Sequence, residues 1–311
     1  MPSNSPGPGP ILLIGGTGFL GSALRKRLAG EEIVVAGRAK DVPVGANERY
    51  FAASDLDRLE REFAGRRFAA IVDLAYATVP STSFEDPVRD FSDNLGSAIR
   101  HLELARKLDT DRYVFVSSGG TVYGDSGAEA ASETAANSPR SPYGITKLTC
   151  EHYAHLYHRL HGVPACIVRP SNIYGPGQVP FRGQGLVATA FGAARSGQPL
   201  SIYGDGSQVR DYLFVDDFCA AFAEIMCKGE PGEVYNLGSD NGTSVKALLE
   251  AVSEIAGRDG KTLQVDWREA RPFDVDRIIL DSSKLRQLTG WEPQTSLGDG
   301  LQATWAWIKG Q

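Results

Sequence analysis

Apolar residues along this chain fall into two spacings that take turns. Short, nearly continuous runs occur at Ile11-Leu12-Leu13-Ile14, Ile33-Val34-Val35-Ala36, Ala70-Ile71-Val72-Asp73-Leu74, Tyr113-Val114-Phe115-Val116 and Ala165-Cys166-Ile167-Val168. Runs of that length without polar alternation predict strands buried on both faces. Between them the apolar positions recur every three or four residues. Leu20, Leu24 and Leu28 predict a helix that stops at Gly30, and 56–63 reads as helical. Phe91, Leu95, Ala98, Leu102, Ala105 and Leu108 predict a long amphipathic helix. Another begins with Ser141 as N-cap and Pro142 at its first position, and runs to Gly162. Strands alternating with helices predict an α/β fold built on a doubly wound parallel sheet.

After Asn172 the rhythm breaks. The stretch from Gly175 to Gln184 is rich in glycine and proline, short elements are expected to follow, and a capped helix spans Ser244 through Ala256. We therefore read 1–10 as a disordered tail and 11–172 as a dinucleotide-binding, Rossmann-type domain. Residues 173–311 form mainly a smaller C-terminal substrate-binding region, with chain crossings back to the sheet allowed for.

The turn after the first run supplies the first chemistry. Gly15-Gly16-Thr17-Gly18-Phe19-Leu20-Gly21 places glycines at its first, fourth and seventh positions between a strand and a helix. Gly15 permits the tight turn, Gly18 lets backbone approach a pyrophosphate, and Gly21 allows close helix packing, with the helix N-terminus facing the phosphates. Tyr143 and Lys147 lie one turn apart on one helix face. A cation so placed is expected to lower the phenol's pKa and let it exchange a proton. Together these features point to hydride chemistry on an alcohol or ketone.

Composition narrows the field by exclusion. A formal net charge of −6 gives no basis for a nucleic-acid partner. No apolar run is long enough to span a membrane, and Met1 to Pro10 lacks the regions of a signal peptide, so a cytoplasmic location is expected. Cys150, Cys166, Cys219 and Cys227 show no metal-ligand spacing, so reduced thiols and no metal site are expected.

The glycine turn and the Tyr143/Lys147 pair resemble the extended branch of the short-chain dehydrogenase/reductases, which includes nucleotide-sugar epimerases, dehydratases and reductases. The resemblance extends over 11–308 through Asn94, the run Ser117-Ser118-Gly119-Gly120-Thr121-Val122-Tyr123-Gly124, the run Arg169-Pro170-Ser171-Asn172-Ile173-Tyr174-Gly175-Pro176, and Arg210-Asp211-Tyr212. It implies that Tyr143 is the acid/base at a sugar hydroxyl, while Lys147 holds the nicotinamide ribose and tunes the phenol. The usual third group, a Ser or Thr hydroxyl, aligns with Gly119. Ser117, Ser118 and Thr121 all stand near, and Ser118 is favoured because Gly119-Gly120 could re-aim it.

For the cofactor the resemblance implies Gly15, Thr17, Gly18, Phe19, Leu20, Gly21, Arg38, Asp55, Leu56, Leu74, Ala75, Asn94, Ser117 and Pro170, besides Tyr143 and Lys147. At the end of the second strand an acid would bind the ribose of NAD, yet here stand Gly37 and Arg38, with Lys40 nearby. That arrangement favours NADP, whereas an epimerase favours tightly held NAD, so the cofactor is NAD(P). Substrate contacts are implied for Thr78, Ser118, Thr121, Tyr143 and Asn172, with Arg210, Arg271 and Asp274 at the diphosphate and nucleoside. Ile278, aligned with a tyrosine found in enzymes of unmodified hexoses, would leave room for an N-acetyl group.

Where the family's dehydratases carry an Asp-Glu pair, this chain has Gly120 and Thr121 after Gly119, which removes the groups that water elimination needs. The implied activity is therefore epimerisation at C4 of a UDP-hexose, through a transient 4-keto sugar that rotates before hydride returns. The alternatives are an NADP-dependent reductase of an NDP-4-keto-6-deoxysugar and a non-catalytic dinucleotide-binding scaffold or sensor. The implied partners are a nucleotide-diphosphate sugar and a second copy of the chain, paired through helices at 90–108 and 142–161.

Overall fold

The computed structural model describes residues 7–38, 43–271 and 273–311. Lys40, Pro272 and residues 1–6 of the expected tail lie outside them. Gly7 to Pro10 carry no strand or helix, but Pro10 is buried and its carbonyl accepts the Ala69 N–H at 3.0 Å, so order begins ahead of the first strand.

Each apolar run became a strand: β1 (Ile11–Ile14), β2 (Ile33–Gly37), β4 (Ala70–Asp73), β5 (Tyr113–Val116) and β6 (Ala165–Pro170). Between β2 and β4 the chain adds β3 (Glu48–Ala52), which sequence reading passed over. It lies at the sheet's edge and fully buries only Phe51, so its charged and aromatic residues show no continuous apolar run. The seventh strand is Val234–Leu237, a return crossing from the C-terminal part of the chain.

From this last strand the order is β6, β5, β4, β1, β2, β3, all parallel, with Ile11 beside Ile33 on one side and Ala70 on the other. Side chains on β1 alternate between the two cores. Ile11 and Leu13 join the helices of the C-terminal part, whereas Leu12 and Ile14 join Phe63, Leu102 and Tyr113 on the opposite face. The chain leaves β1 towards β2 and later crosses to β4, so a crevice opens at the C-terminal ends of β1 and β4.

Six helices accompany this first part: α1 (Phe19–Arg27), α2 (Leu56–Glu62), α3 (Pro80–Glu85), α4 (Pro87–Lys107), α5 (Gly119–Val122) and α6 (Pro142–His161). The expected caps of α6 are present. Ser141 Oγ accepts the Gly144 N–H at 3.1 Å, and Gly162 ends the helix at φ 68°. Ser244 likewise caps Val245–Gly257 by accepting the Ala247 N–H.

The expectation that short elements and one capped helix follow Asn172 is corrected by three further helices. Helices of 11, 14 and 13 residues occupy Leu186–Ser196, Val215–Lys228 and Leu297–Lys309. The first two are largely buried, the third buries one face, and all three share one core with the sheet. A small four-stranded sheet centred on Val209–Phe214 carries Arg210 to the mouth of the crevice.

Candidate active site

The glycine turn is shaped as its spacing predicts. Gly15 has φ 83°, and a Cβ there would lie 2.8 Å from the Ala75 nitrogen at the end of β4. A Cβ on Gly21 would lie 2.5 Å from Gly16 Cα, so α1 packs directly on the turn. At Gly18 the nearest protein atom would be 3.4 Å away, in ordinary contact, and this residue faces open cavity. The N-terminus of α1 has neither a side-chain cap nor an acid in its first turn, which leaves its positive end for an anion.

A cavity of about 910 Å³ runs from this turn to Arg210, at the upper end of the usual range for small-ligand sites. It gathers most of the residues singled out from sequence: Gly15, Thr17, Gly18, Phe19, Leu20, Gly21, Arg38 and Leu74 along one half. Thr78, Ser117, Ser118, Thr121, Tyr143, Lys147, Pro170, Asn172 and Arg210 line the rest. Six others stand off its lining. Asp55 and Leu56 begin α2 beyond the edge strand β3. Ala75 flanks Gly15 from behind, with its N–H held by Asp73 Oδ1 at 3.1 Å. Asn94 is buried beneath the loop after β4, where its Oδ1 accepts the Ala77 N–H at 2.6 Å. Arg271 lies 3.4 Å over the ring of Tyr203, and Asp274 also lies outside the cavity.

Thr78, in the cavity lining, donates its hydroxyl to Asp90 and accepts from Asn94 Nδ2 at 3.0 Å. One expectation about the substrate end is corrected. Ile278 is buried with Val122, Tyr123, Ala131 and Leu280, away from the cavity, so it leaves no room there for an N-acetyl group.

Tyr143 and Lys147 share one face of α6, and neighbouring elements fix them. Ser83 Oγ, from α3, accepts the Tyr143 N–H at 3.2 Å, and Thr146 Oγ1 donates to the buried Asp90 of α4 at 2.7 Å. Lys147 Nζ donates to the Val116 carbonyl at the end of β5 at 2.8 Å. The expectation that the ammonium would lower the phenol's pKa is corrected. Burial pushes the Tyr143 phenol up, the Asp90 carboxylate adds to this, and the Ser118 hydroxyl opposes it. The ammonium lies 5.9 Å from the phenol's ring centre and is engaged by Val116 instead. Burial lowers Lys147 itself to about 8, against the pull of Cys150, Asp73, Glu151 and Asp90.

A Cβ at Gly119 would meet Leu280 Cδ1 at 2.5 Å and the Arg169 carbonyl at 3.0 Å, so a Ser or Thr there would require Leu280 to shift. The Ser117 hydroxyl donates to Glu151, which also pairs with buried Arg169 at 2.6 Å. The Thr121 hydroxyl donates to the Ser118 carbonyl at 3.4 Å. Ser118 is the N-cap of α5, yet its side chain makes no capping bond and instead faces Tyr143.

Sequence reading missed Tyr76, Gln178 and Arg182, which also line the cavity. Tyr76 directly follows the Leu74-Ala75 pair where that reading stopped, and Arg182 sits in the Gly/Pro-rich stretch. No Asp or Glu lines the cavity among the described residues, nor does any cluster of His, Cys, Asp and Glu there suit a metal ion. Among the same residues no helix is long and apolar enough to cross a membrane.

Comparison with known proteins agrees with this geometry. Residues 11–238 match the model of the NAD dependent epimerase/dehydratase family. The chain is 33% identical over 304 residues to a UDP-glucose 4-epimerase of Mycolicibacterium smegmatis, covering 94% of this chain and 96% of that protein. It is 29% identical to dTDP-glucose 4,6-dehydratase 1 of Escherichia coli, covering 96% of this chain and 92% of that one. Among solved structures, UDP-glucose 4-epimerase of Thermotoga maritima with UDP-glucose superposes with a TM-score of 0.88 at 32% identity, over 97% of this chain and 99% of that one. The Thermus thermophilus UDP-glucose 4-epimerase in complex with NAD gives 0.87, also at 32% identity and with the same coverage. This chain belongs to the NAD-dependent epimerase/dehydratase family.

Proposed function

We propose that the protein is an NAD(P)-dependent nucleotide-sugar epimerase that inverts C4 of a UDP-hexose. The observation that carries this reading is one cavity joining the glycine turn, Tyr143, Ser118, Lys147 and Arg210, with no carboxylate in its lining among the described residues. Proton exchange at an alcohol is provided for, whereas the acid and base of a dehydration are absent. The relatives that are UDP-glucose 4-epimerases support the same choice over the dehydratases.

The residues fit a dinucleotide. Gly15 and Gly21 allow the tight turn and the close packing of α1, and Gly18 leaves the backbone bare where a pyrophosphate would meet the uncapped start of that helix. Arg38, Leu74, Ser117, Lys147 and Pro170 continue that half of the cavity. Bound there, the oxidised dinucleotide would accept a hydride from the sugar and return it. Tyr143 takes the C4 hydroxyl proton as the alcohol becomes a ketone and gives it back afterwards. Ser118 donates a hydrogen bond to the same oxygen, and the ammonium of Lys147 would hold the nicotinamide ribose. Arg210, partly desolvated by burial, grips the diphosphate while the keto sugar turns.

Arg38 is exposed at the cavity's edge, and Gly37 offers no carboxylate to a ribose 2′-hydroxyl. We therefore include NADP among the cofactors, beside the NAD of the family. This feature also favours the second reading, an NADP-dependent reductase of a nucleotide keto-sugar. Release and identification of any dinucleotide carried through purification, followed by turnover of UDP-hexoses by wild type and Tyr143→Phe, separates them. Tightly held NAD and turnover abolished by Tyr143→Phe support the epimerase. Unchanged turnover in that variant refutes the mechanism, and strict dependence on added NADPH favours the reductase.

We further propose a cytoplasmic homodimer. Cys150, Cys166 and Cys219 are buried thiols, in keeping with a reducing compartment. The outer faces of α4 and α6 expose Val88 (74%), Phe91 (52%), Ile145 (55%) and Leu160 (67%), apolar surface suited to the same helices of a second copy.

A further inference from the structure

Tyr76 has no task in the reaction as written, although it lies between the two residues that do the chemistry. Its loop is pinned on both sides. Asp73 Oδ1 accepts the Ala75 N–H at 3.1 Å, Asn94 Oδ1 accepts the Ala77 N–H at 2.6 Å, and Thr78 donates to Asp90. Asp73 is in turn fixed at the floor of β4 by His101 Nδ1 at 2.8 Å and by the Tyr113 hydroxyl at 2.9 Å. So held, the Tyr76 ring sets its centre 4.0 Å from Lys147 Nζ and 4.7 Å from the centre of the Tyr143 ring, the two planes 64° apart. Its hydroxyl points elsewhere, donating to the Tyr143 backbone carbonyl at 3.4 Å.

The setting explains why a ring is useful there. Lys147 is 3% exposed, and an ammonium with three donors buried on one carbonyl is poorly satisfied. The carboxylates around it have other partners. Asp73 from β4 holds His101 and Tyr113, Asp90 from α4 holds Thr78 and Thr146, and Glu151 from α6 holds Arg169 and Ser117. Cys150 and Tyr143, also on α6, and the Phe115 ring of β5 complete its surroundings. The face of Tyr76 is the nearest aromatic surface to the charge.

We propose that Tyr76 is a positioning residue for the catalytic pair, acting through its ring rather than its hydroxyl. The ring face holds the Lys147 ammonium charged and fixed against the end of β5, and the ring backs the Tyr143 phenol so that it stays aimed into the cavity. This rests on the reading of Tyr143 and Lys147 as the reacting pair.

The full-length protein, wild type and as Tyr76→Phe, Tyr76→Leu, Tyr143→Phe and Lys147→Met, provides the test, with circular dichroism to confirm folding. Tyr76→Met is read in place of the leucine variant should that one not fold. In ε-13C-lysine-labelled protein, the Lys147 resonance, assigned by its loss in Lys147→Met, is titrated by NMR without substrate. Its midpoint is expected to fall by about one pH unit in Tyr76→Leu and to stay in Tyr76→Phe. In turnover, Tyr76→Leu is expected to lose about tenfold in kcat with little change in KM, and Tyr76→Phe to stay within about twofold. A Lys147 midpoint and kcat that are unchanged in Tyr76→Leu, or equal losses in both variants, would overturn the proposal. Undiminished turnover in Tyr143→Phe would sink the reading of the pair instead, while the Lys147 titration still decides the Tyr76 contact.

Discussion

Leu280 fills the space that a side chain on Gly119 would need, its Cδ1 falling 2.5 Å from the Cβ position of any residue placed there. In the proposed mechanism the hydroxyl that assists Tyr143 comes instead from the preceding residue, Ser118, whose side chain is left out of the α5 cap. Ser118→Ala is expected to lower kcat about 100-fold with KM little changed. Adding Gly119→Ser to that variant should not restore activity and should cost about 1–3 kcal/mol by overpacking. Steady-state kinetics and urea unfolding check both halves.

A similar exclusion governs the cofactor end. A Cβ on Gly37 would lie 2.6 Å from the Thr17 side chain, so an acid there would press on a side chain of the glycine turn. Gly37→Asp should thus weaken NAD and NADP alike, rather than convert the site to NAD. Arg38→Ala should weaken NADP by about tenfold or more and NAD by less than about threefold. Isothermal titration with each dinucleotide reads the difference.

Glu151 and Arg169 form a buried ion pair behind Ser117, at 2.6 Å with almost no exposure of either side chain. Removing the carboxylate leaves the guanidinium buried and uncompensated. Glu151→Ala is expected to cost about 3–5 kcal/mol in urea unfolding, against about 1 kcal/mol for Ser117→Ala.

The lowered pKa of Lys147 has a defined sign. The folded state releases this proton near pH 8 and the unfolded state near 10.5, so the native protein binds fewer protons between those values. Lys147 therefore makes stability rise as pH increases through that window. Lys147→Met should lose that rise when unfolding free energies are compared at pH 8 and 10.5. Turnover by wild type should decline over the same window as the ammonium loses its charge.

The apolar surface on α4 and α6 predicts assembly. Ile145→Asp combined with Leu160→Glu should shift a dimer to monomer in analytical ultracentrifugation while circular dichroism stays unchanged.

How legible the chain was depended on how many faces an element buries. Strands such as Ile11–Ile14, buried on both sides, and helices with chemical caps, such as Ser141 with Gly162, could be read directly. The edge strand Glu48–Ala52 and the core helix Leu186–Ser196 had no such contrast between apolar and polar positions. Within the site, the glycine turn and the Tyr143/Lys147 spacing are local signals that survived folding intact. The choice of Ser118 depends on Leu280, far along the chain, and the environment of Lys147 depends on Tyr76 across two elements. The expectation for Ile278 failed for the same reason: alignment gives a position, while the Leu280 cluster determines where the side chain goes.

Incubating the purified protein with UDP-galactose, without added dinucleotide, and following the anomeric signals by proton NMR separates C4 epimerisation from net reduction. C4 epimerisation should give an equilibrium mixture of UDP-galactose and UDP-glucose, approached equally from either sugar. Unchanged substrate from both directions, with activity appearing only on a keto-sugar plus NADPH, would contradict it.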